Sequence, residues 1–252
     1  MKFGRLDKLQ HGYNAMTTCD SKMLMDIGYQ VMEPKEILSF IDTTKETAFV
    51  ILTGQISITW DEKTETMERR SLFDENPYCL HVPVNTQVQI KAVSAAEILI
   101  QKTENEKLFP AKFYRPADVQ CDQFGAGMWN GTAERTVRTI FDYTNAPYSN
   151  MVNGEVINRP GRWSGYIPHT HPQPEVYTYK FDKPQGFGCS LIGEEAFKIS
   201  HNSWSAIPGG DSHPQVTAPG YAMWYSWMIR HLPGDPWNKT RTDDPDHVWL
   251  LE

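Results

Sequence analysis

The sequence predicts an all-β protein built from two successive barrels or sandwiches. Three observations lead there. The chain breaks into many short runs rich in β-branched and aromatic residues, punctuated by Gly, Pro, Asn and Asp. Almost nowhere does an apolar period of helical type persist. The rhythm of strands, interrupted after Lys107, starts again near Tyr148, so the 252 residues divide into two units of ordinary domain size.

Residues 1–115 form the first unit. In TAFVILTGQISITWD, Thr53-Gly54 is the turn signal of a hairpin, and CLHVPVNTQVQIKAVSAAEILIQ supplies two more strands split at residues 83–86. Residues 116–147 read as a connecting segment dominated by Gly, Pro and polar residues. Within it, ERTVRTIFDYTN fits a short strand or a helical turn equally well. The second unit, 148–252, runs through MVNGEVINRPG, RWSGYIPHTH, EVYTYKF, GFGCSLIG, AFKISH, SWSAIPGG, HPQVTAPG and YAMWYSWMIRHL, a series of strands and turn signals.

Composition excludes several functions. Hydrophobic residues make up 40% and charged residues 22%, with 17 Gly and 17 Pro, the proportions of a globular protein. A net charge of −7 without any Lys/Arg cluster argues against a nucleic-acid surface, which is built on clustered cations. The segment MKFGRLDKLQHGYNAM lacks an apolar h-region, and no stretch approaches the roughly 18 to 20 apolar residues that span a bilayer. The expected location is cytoplasmic, with no membrane partner. Cys19, Cys79, Cys121 and Cys189 are far apart, form no CxxC pair and read as reduced thiols without function.

The chemistry sits in the second unit. PHTHPQPE puts His169 and His171 two apart, a spacing that on a strand sends both imidazoles to one face. After the Pro-Gln-Pro bend, Glu175 opens the next strand and offers a carboxylate from a second direction. Downstream, in IPGGDSHP, a Pro-Gly-Gly turn places His213 at the start of a strand expected to lie beside the HxH strand. Three neutral imidazoles and a carboxylate suit one divalent ion (zinc, manganese, iron or nickel) and leave positions for water or substrate oxygens. An HxH pair alone is more often a pair of ordinary hydrogen-bonded residues. The order HxH, Glu, Pro-x-Gly-x-x-His carries the argument for a metal.

These residues resemble the paired cupin motifs, with His169, His171 and Glu175 matching the first and Pro208, Gly210 and His213 the second. Asn202, tolerant of a left-handed turn, stands where the second motif tends to begin on glycine. Over most of the chain, RWSGYIPHTH, EVYTYKFDKPQGFG, IPGGDSHPQVTAPGYAMWY and DDPDHVW are similar to the 5-deoxy-glucuronate isomerase family of inositol catabolism. FVILTGQISITWD and RRSLFDENPYCLHVP extend that similarity into the first unit. The resemblance implies a double-stranded β-helix (cupin) fold in two tandem barrels, a bicupin, with metal in the second barrel. The first barrel, where His81 stands alone, lacks the motif. It also implies an intramolecular oxidoreductase that converts 5-deoxy-glucuronate, an aldose, to 2-deoxy-5-keto-gluconate, a ketose. The chain is a short-loop variant, because insertions that the family carries after the HxH pair and after PQGF are short or missing. Such loops shape the pocket at a barrel mouth.

Aldose–ketose isomerisation moves a proton between adjacent carbons; a metal holding both oxygens stabilises the enediolate, and a nearby base shuttles the proton. Tyr177, Tyr179, Lys180 and Gln185 are the expected residues for that role or for the substrate carboxylate. Parity puts Glu175, Tyr177 and Tyr179 on one face and Lys180 on the other. Arg162, Tyr225 and Arg230 are the expected binders of an acidic substrate, arginine because it offers bidentate carboxylate geometry. Trp163, Trp204, Trp224 and Trp227 read first as core filling and second as sugar-stacking surfaces. The expected partner is a small sugar acid, with a homo-oligomer left open. Two other readings use the same ligands. One is a different cupin reaction, such as isomerisation of a 4-deoxy-hexosulose uronate or iron-dependent oxygen chemistry, and the other is a non-catalytic carbohydrate-binding cupin.

Overall fold

The computed structural model describes residues 1–252 as two compact units. In chain order the strands are β1 (Phe3–Arg5), β2 (Gly12–Thr17), β3 (Asp26–Met32), β4 (Ile37–Phe40), β5 (Lys45–Trp60), β6 (Lys63–Arg69), β7 (Cys79–Val82), β8 (Val88–Ala92), β9 (Ala96–Glu104) and β10 (Lys112–Tyr114). They continue with β11 (Gln120–Phe124), β12 (Arg135–Phe141), β13 (Met151–Asn158), β14 (Trp163–Ser164), β15 (His169–Thr170), β16 (Glu175–Phe181), β17 (Phe187–Ile192), β18 (Glu195–Ser200), β19 (Ser203–Ile207), β20 (Gln215–Thr217), β21 (Met223–Arg230) and β22 (Thr242–Asp243).

One unit comprises residues 8–119 and 146–150 and holds β2 to β10. The long strand β5 organises it. Its first half pairs with β7 and β9, its second half with β6 and β8. The expected hairpin at Thr53-Gly54 is therefore one strand of 16 residues. Gly54 has a φ of +92°, and a Cβ there would meet the Ala95 carbonyl oxygen at 2.2 Å. Only glycine fits, and it bends the strand toward new partners without reversing it. Residues 79–101, expected to give two strands, give β7, β8 and the start of β9, because the chain also turns between Ala92 and Ala96. Phe49, Ile51, Ile56, Ile58 and Trp60 of β5 lie in the core of this unit. His81 is fully buried, with Nε2 2.8 Å from Oε2 of Glu46. Glu46 also accepts from the Ser149 hydroxyl at 3.0 Å and the Asn150 amide at 2.6 Å, so this histidine belongs to a structural knot.

The other unit comprises residues 1–7, 120–145 and 151–252. Its large sheet has the order β1-β19-β16-β21-β13-β12-β11, its smaller one β14-β20-β17-β18, and β15 pairs with β22. The inner face of the large sheet gathers Tyr177, Tyr179, Phe181, Tyr225, Trp227 and Ile229, which cluster with Ile192 and Ile199 of β17 and β18. The domain limits differ from those expected. Residues 116–147 are no mere connection, since they supply β11 and β12 to this sheet, and residues 3–5 add its edge strand. Within ERTVRTIFDYTN, Arg135–Phe141 is a strand whose alternation is obscured because Arg135 and Thr139 stand on its cavity side, where apolar residues are the usual signal. All four cysteines are free, and no helix is long and apolar enough to cross a membrane.

Candidate metal centre

Two segments far apart in sequence meet backbone to backbone. Pro208 ends β19, and the Gly209-Gly210 turn then runs against the chain after the HxH pair. The Gly210 amide donates to the His171 carbonyl at 2.8 Å. A Cβ on Gly209 would fall 1.8 Å from the Pro172 carbonyl oxygen, so no side chain fits there. Strand pairing does not supply this contact, contrary to expectation. β20 pairs with β14 and β17, whereas β15, carrying His169, pairs with the carboxy-terminal β22. The glycine turn does what adjacent strands were expected to do. Gly209→Ala should push the two segments apart and weaken divalent-ion binding roughly 10- to 100-fold with every ligand retained. Isothermal titration with Mn²⁺ or Zn²⁺ checks this, and wild-type affinity would contradict it.

The side chains converge. One potential ligand atom from each of His171, Glu175 and His213 lies within 4.8 Å of the other two, and all three residues are buried. Oε2 of Glu175 is 3.2 Å from Nε2 of His171 and 3.2 Å from Nε2 of His213. Nδ1 of His213 faces the Asp211 carbonyl oxygen at 2.9 Å, and Nδ1 of His169 faces that of Ile167 at 2.8 Å. A carbonyl only accepts, so each of these rings keeps a proton on Nδ1 and, when neutral, an Nε2 lone pair. His213 then has an acceptor at each nitrogen. A neutral ring cannot satisfy both, but a cation shared by Nε2 and Glu175 can. His169 lies beside the trio, its ring centroid 5.1 Å from that of His213, and does not join the tight group.

The electrostatics agree with this chemistry. Burial, assisted by His213, pushes the His169 pKa down to about 4, leaving a neutral ring. Burial alone would raise the Glu175 pKa, yet hydrogen bonds from His171 and His213 bring it down to about 2. For His213 burial works against the charged ring, and Glu175 outweighs it to raise the pKa. A buried carboxylate that stays ionised beside two imidazoles is a donor set that fits a divalent ion.

The trio opens onto a cavity of about 520 Å³. Two of the remaining expected residues line it, Tyr177 and Tyr225, with ring centroids 4.9 Å apart; Tyr177 lies 6.0 Å from His213. Burial, and then the nearby charge of Glu175, raise the Tyr177 pKa well above the usual tyrosine value. Tyr177 therefore holds its proton. Tyr179 shares its parity, but its hydroxyl lies 3.0 Å from Oγ of Ser205 and 2.9 Å from Oε1 of Gln215, away from the cavity lining. Lys180 points to the opposite face and donates to Oδ1 of Asn202 at 3.0 Å. Gln185 is exposed in the β16–β17 turn, Arg162 lies just before β14, and Arg230 donates to the His231 carbonyl. None of Tyr179, Lys180, Gln185, Arg162 or Arg230 lines the cavity, because closeness in sequence to Glu175 or to a barrel strand does not fix which end of the barrel a side chain faces.

Three cationic residues on the cavity wall escaped the sequence reading, Arg135, Lys239 and Arg241. Arg135 lies in ERTVRTIFDYTN, whose pattern fits a strand or a helical turn. Lys239 and Arg241 belong to NKTRTDD, which shows no strand pattern because β22 is only two residues long. The tail there is tied down by the Asp244 amide on the Pro168 carbonyl at 2.9 Å and by Nε1 of Trp129 on the Leu250 carbonyl at 3.1 Å. Trp129, Trp227 and Trp237 also line the cavity.

Two β units, with His171, Glu175 and His213 converging in the second, define a two-barrel cupin. The KduI/IolB family model matches residues 5–250, and the chain belongs to that family. Among its relatives, the 5-deoxy-glucuronate isomerase of Bacillus velezensis is 25% identical over 268 residues, covering 98% of this chain and 96% of that one. That of Halalkalibacterium halodurans is 23% identical over 255 residues, covering 93% and 92%. An IolB-like protein of Salmonella typhimurium has a similar solved structure, with a TM-score of 0.91 at 18% identity over 100% of both chains. Oxalate decarboxylase of Bacillus subtilis, a protein with Mn(II) centres, reaches 0.67 at 11% identity over 96% of this chain and 79% of its own. The last two likenesses show the cupin fold.

Proposed function

We propose that this chain is a divalent-metal-dependent aldose–ketose isomerase acting on a deoxy-uronate, converting 5-deoxy-glucuronate to 2-deoxy-5-keto-gluconate in inositol catabolism. The observation that carries the proposal is the convergence of His171, Glu175 and His213 on a cavity lined by tyrosines and cations, in a chain whose relatives bear that activity's name. His171, Glu175 and His213 would hold the ion, and His169 would complete the set through the Nε2 that its Ile167 hydrogen bond leaves available. Zinc, manganese, iron and nickel all suit these donors. When bound, the ion would supply Lewis acidity to the reacting substrate.

The chain's own residues do the rest. Tyr177 keeps its proton and offers it as a hydrogen bond where negative charge develops on a substrate oxygen. Burial pushes the Tyr225 pKa up to about 12, so it too presents a hydroxyl donor on the same wall. Trp227 and Trp237, with ring centroids 5.7 Å apart, give the cavity an apolar side that keeps water from the reacting carbons.

The test is turnover. The purified protein, supplied with one divalent ion per chain, should remove the aldehyde proton signal of 5-deoxy-glucuronate in NMR without consuming oxygen. A chelator should stop the reaction, and returning the ion should restart it. Turnover confined to 4-deoxy-hexosulose uronates would favour the other sugar-acid isomerase reading, oxygen uptake with iron would favour an oxygenase, and no turnover of any uronate would leave a carbohydrate-binding cupin.

A further inference from the structure

Arg135 opens β12 on the strand face that also presents Val137 and Thr139 to the cavity. Three strand registers carry its position across the sheet, Arg135 to Asn158, Asn158 to Met223 and Met223 to Phe181. Glu175 occupies a different register row, level with Ile229 and at the opposite end of β16 from Phe181. The backbone of Arg135 thus joins the cavity wall at a different row of the sheet from Glu175.

Its surroundings lack a counter-charge. Nη1 of Arg135 donates to the Ala133 carbonyl at 2.9 Å, and the guanidinium carbon sits 5.7 Å from the centroid of the Phe124 ring. No carboxylate pairs with it. Asp122, which also lines the cavity, accepts from Nε2 of Gln120 at 2.8 Å. The other two cations on the wall are exposed and already paired, Lys239 with Asp142 at 3.3 Å and Arg241 with Asp243 at 2.8 Å. Arg135 alone is half-buried and unmatched. Burial accordingly lowers its pKa, with Tyr225 and Tyr177 acting in the opposite direction and Arg241 adding to the lowering. An arginine so placed remains charged, and a charge half withdrawn from water without a counter-charge is one that a ligand's anion can match.

We propose that Arg135 anchors the substrate's carboxylate and so selects sugar acids over neutral sugars, its guanidinium gripping one end of a molecule whose other end faces His171, Glu175 and His213. The planar fork suits a carboxylate bidentately, and a phosphate has related geometry. A single unmatched guanidinium is better suited to one negative charge than to the two of a phosphate monoester. The choice of a deoxy-uronate rests on the isomerase reading above, whereas selection for the carboxylate is testable by binding alone.

The experiment titrates the metal-loaded wild-type protein, Arg135→Met and Arg135→Lys with D-glucuronate, D-glucose and D-glucose 6-phosphate by calorimetry, with metal content measured on each sample. The wild type should prefer glucuronate to both others. Arg135→Met should bind glucuronate roughly 10- to 100-fold more weakly, the loss expected for a charged hydrogen-bonding group, with glucose binding and metal content unchanged. Arg135→Lys should recover part of the loss, because it restores the charge without the fork. If the Met variant fails to fold, Arg135→Gln, which retains a donor for the Ala133 carbonyl, takes its place. Unchanged glucuronate affinity, equal loss of glucose, or a wild-type preference for the phosphate would overturn the assignment. Charge-selective binding without isomerase turnover would refute the proposed reaction and leave Arg135 in its role.

Discussion

His171→Ala and His213→Ala should each reduce bound divalent metal well below one ion per chain and lower isomerase turnover by roughly 10³-fold, equivalent to the several kcal/mol that a Lewis acid contributes. The two rings approach the same oxygen of Glu175, each at 3.2 Å, so either deletion removes a ligand and also one of the hydrogen bonds that keep this buried carboxylate ionised. His169→Ala should be milder in metal content, because its ring stands outside the tight trio. Elemental analysis of the three purified variants gives the ordering. Full metal occupancy in both His171→Ala and His213→Ala would leave the centre without support.

Tyr177→Phe should keep the metal and lose turnover, by roughly 10²- to 10³-fold in kcat, the usual cost of one missing donor to a developing oxyanion. Its hydroxyl keeps its proton and lies on the cavity wall near the charge of Glu175. Tyr179→Phe is the contrast. That hydroxyl is spent on Ser205 and Gln215, so its removal should cost about 1 to 2 kcal/mol of stability and little activity. Steady-state kinetics with urea denaturation of both variants separates the roles; equal kinetic losses would show that Tyr177 acts through packing alone.

The comparison between these tyrosines marks how far the sequence could be read. Strand parity placed Glu175, Tyr177 and Tyr179 on one face correctly, since alternation is a local property of the backbone. It could not tell which rows of that face meet the cavity and which meet the polar cluster around Ser190, Ser205 and Gln215, because that depends on the smaller sheet lying over the strand. The convergence of His171, Glu175 and His213 is legible for a similar reason. A short HxH segment and a glycine turn fix their own geometry, and Asn202 takes the left-handed φ of +62° expected of it. Arg135 lay beyond such reasoning, on a strand polar enough to hide its period. Gly54 misled in the other direction. A glycine with positive φ commonly closes a hairpin, but here long-range pairing on both sides of it keeps β5 running.

The most direct measurement is an anomalous difference map, collected at the absorption edge of the bound metal from crystals of the purified protein. One peak per chain is expected, about 2.0 to 2.2 Å from Nε2 of His171, Nε2 of His213 and a carboxylate oxygen of Glu175. No peak in metal-loaded crystals, or a peak held by other residues, would contradict the centre described here.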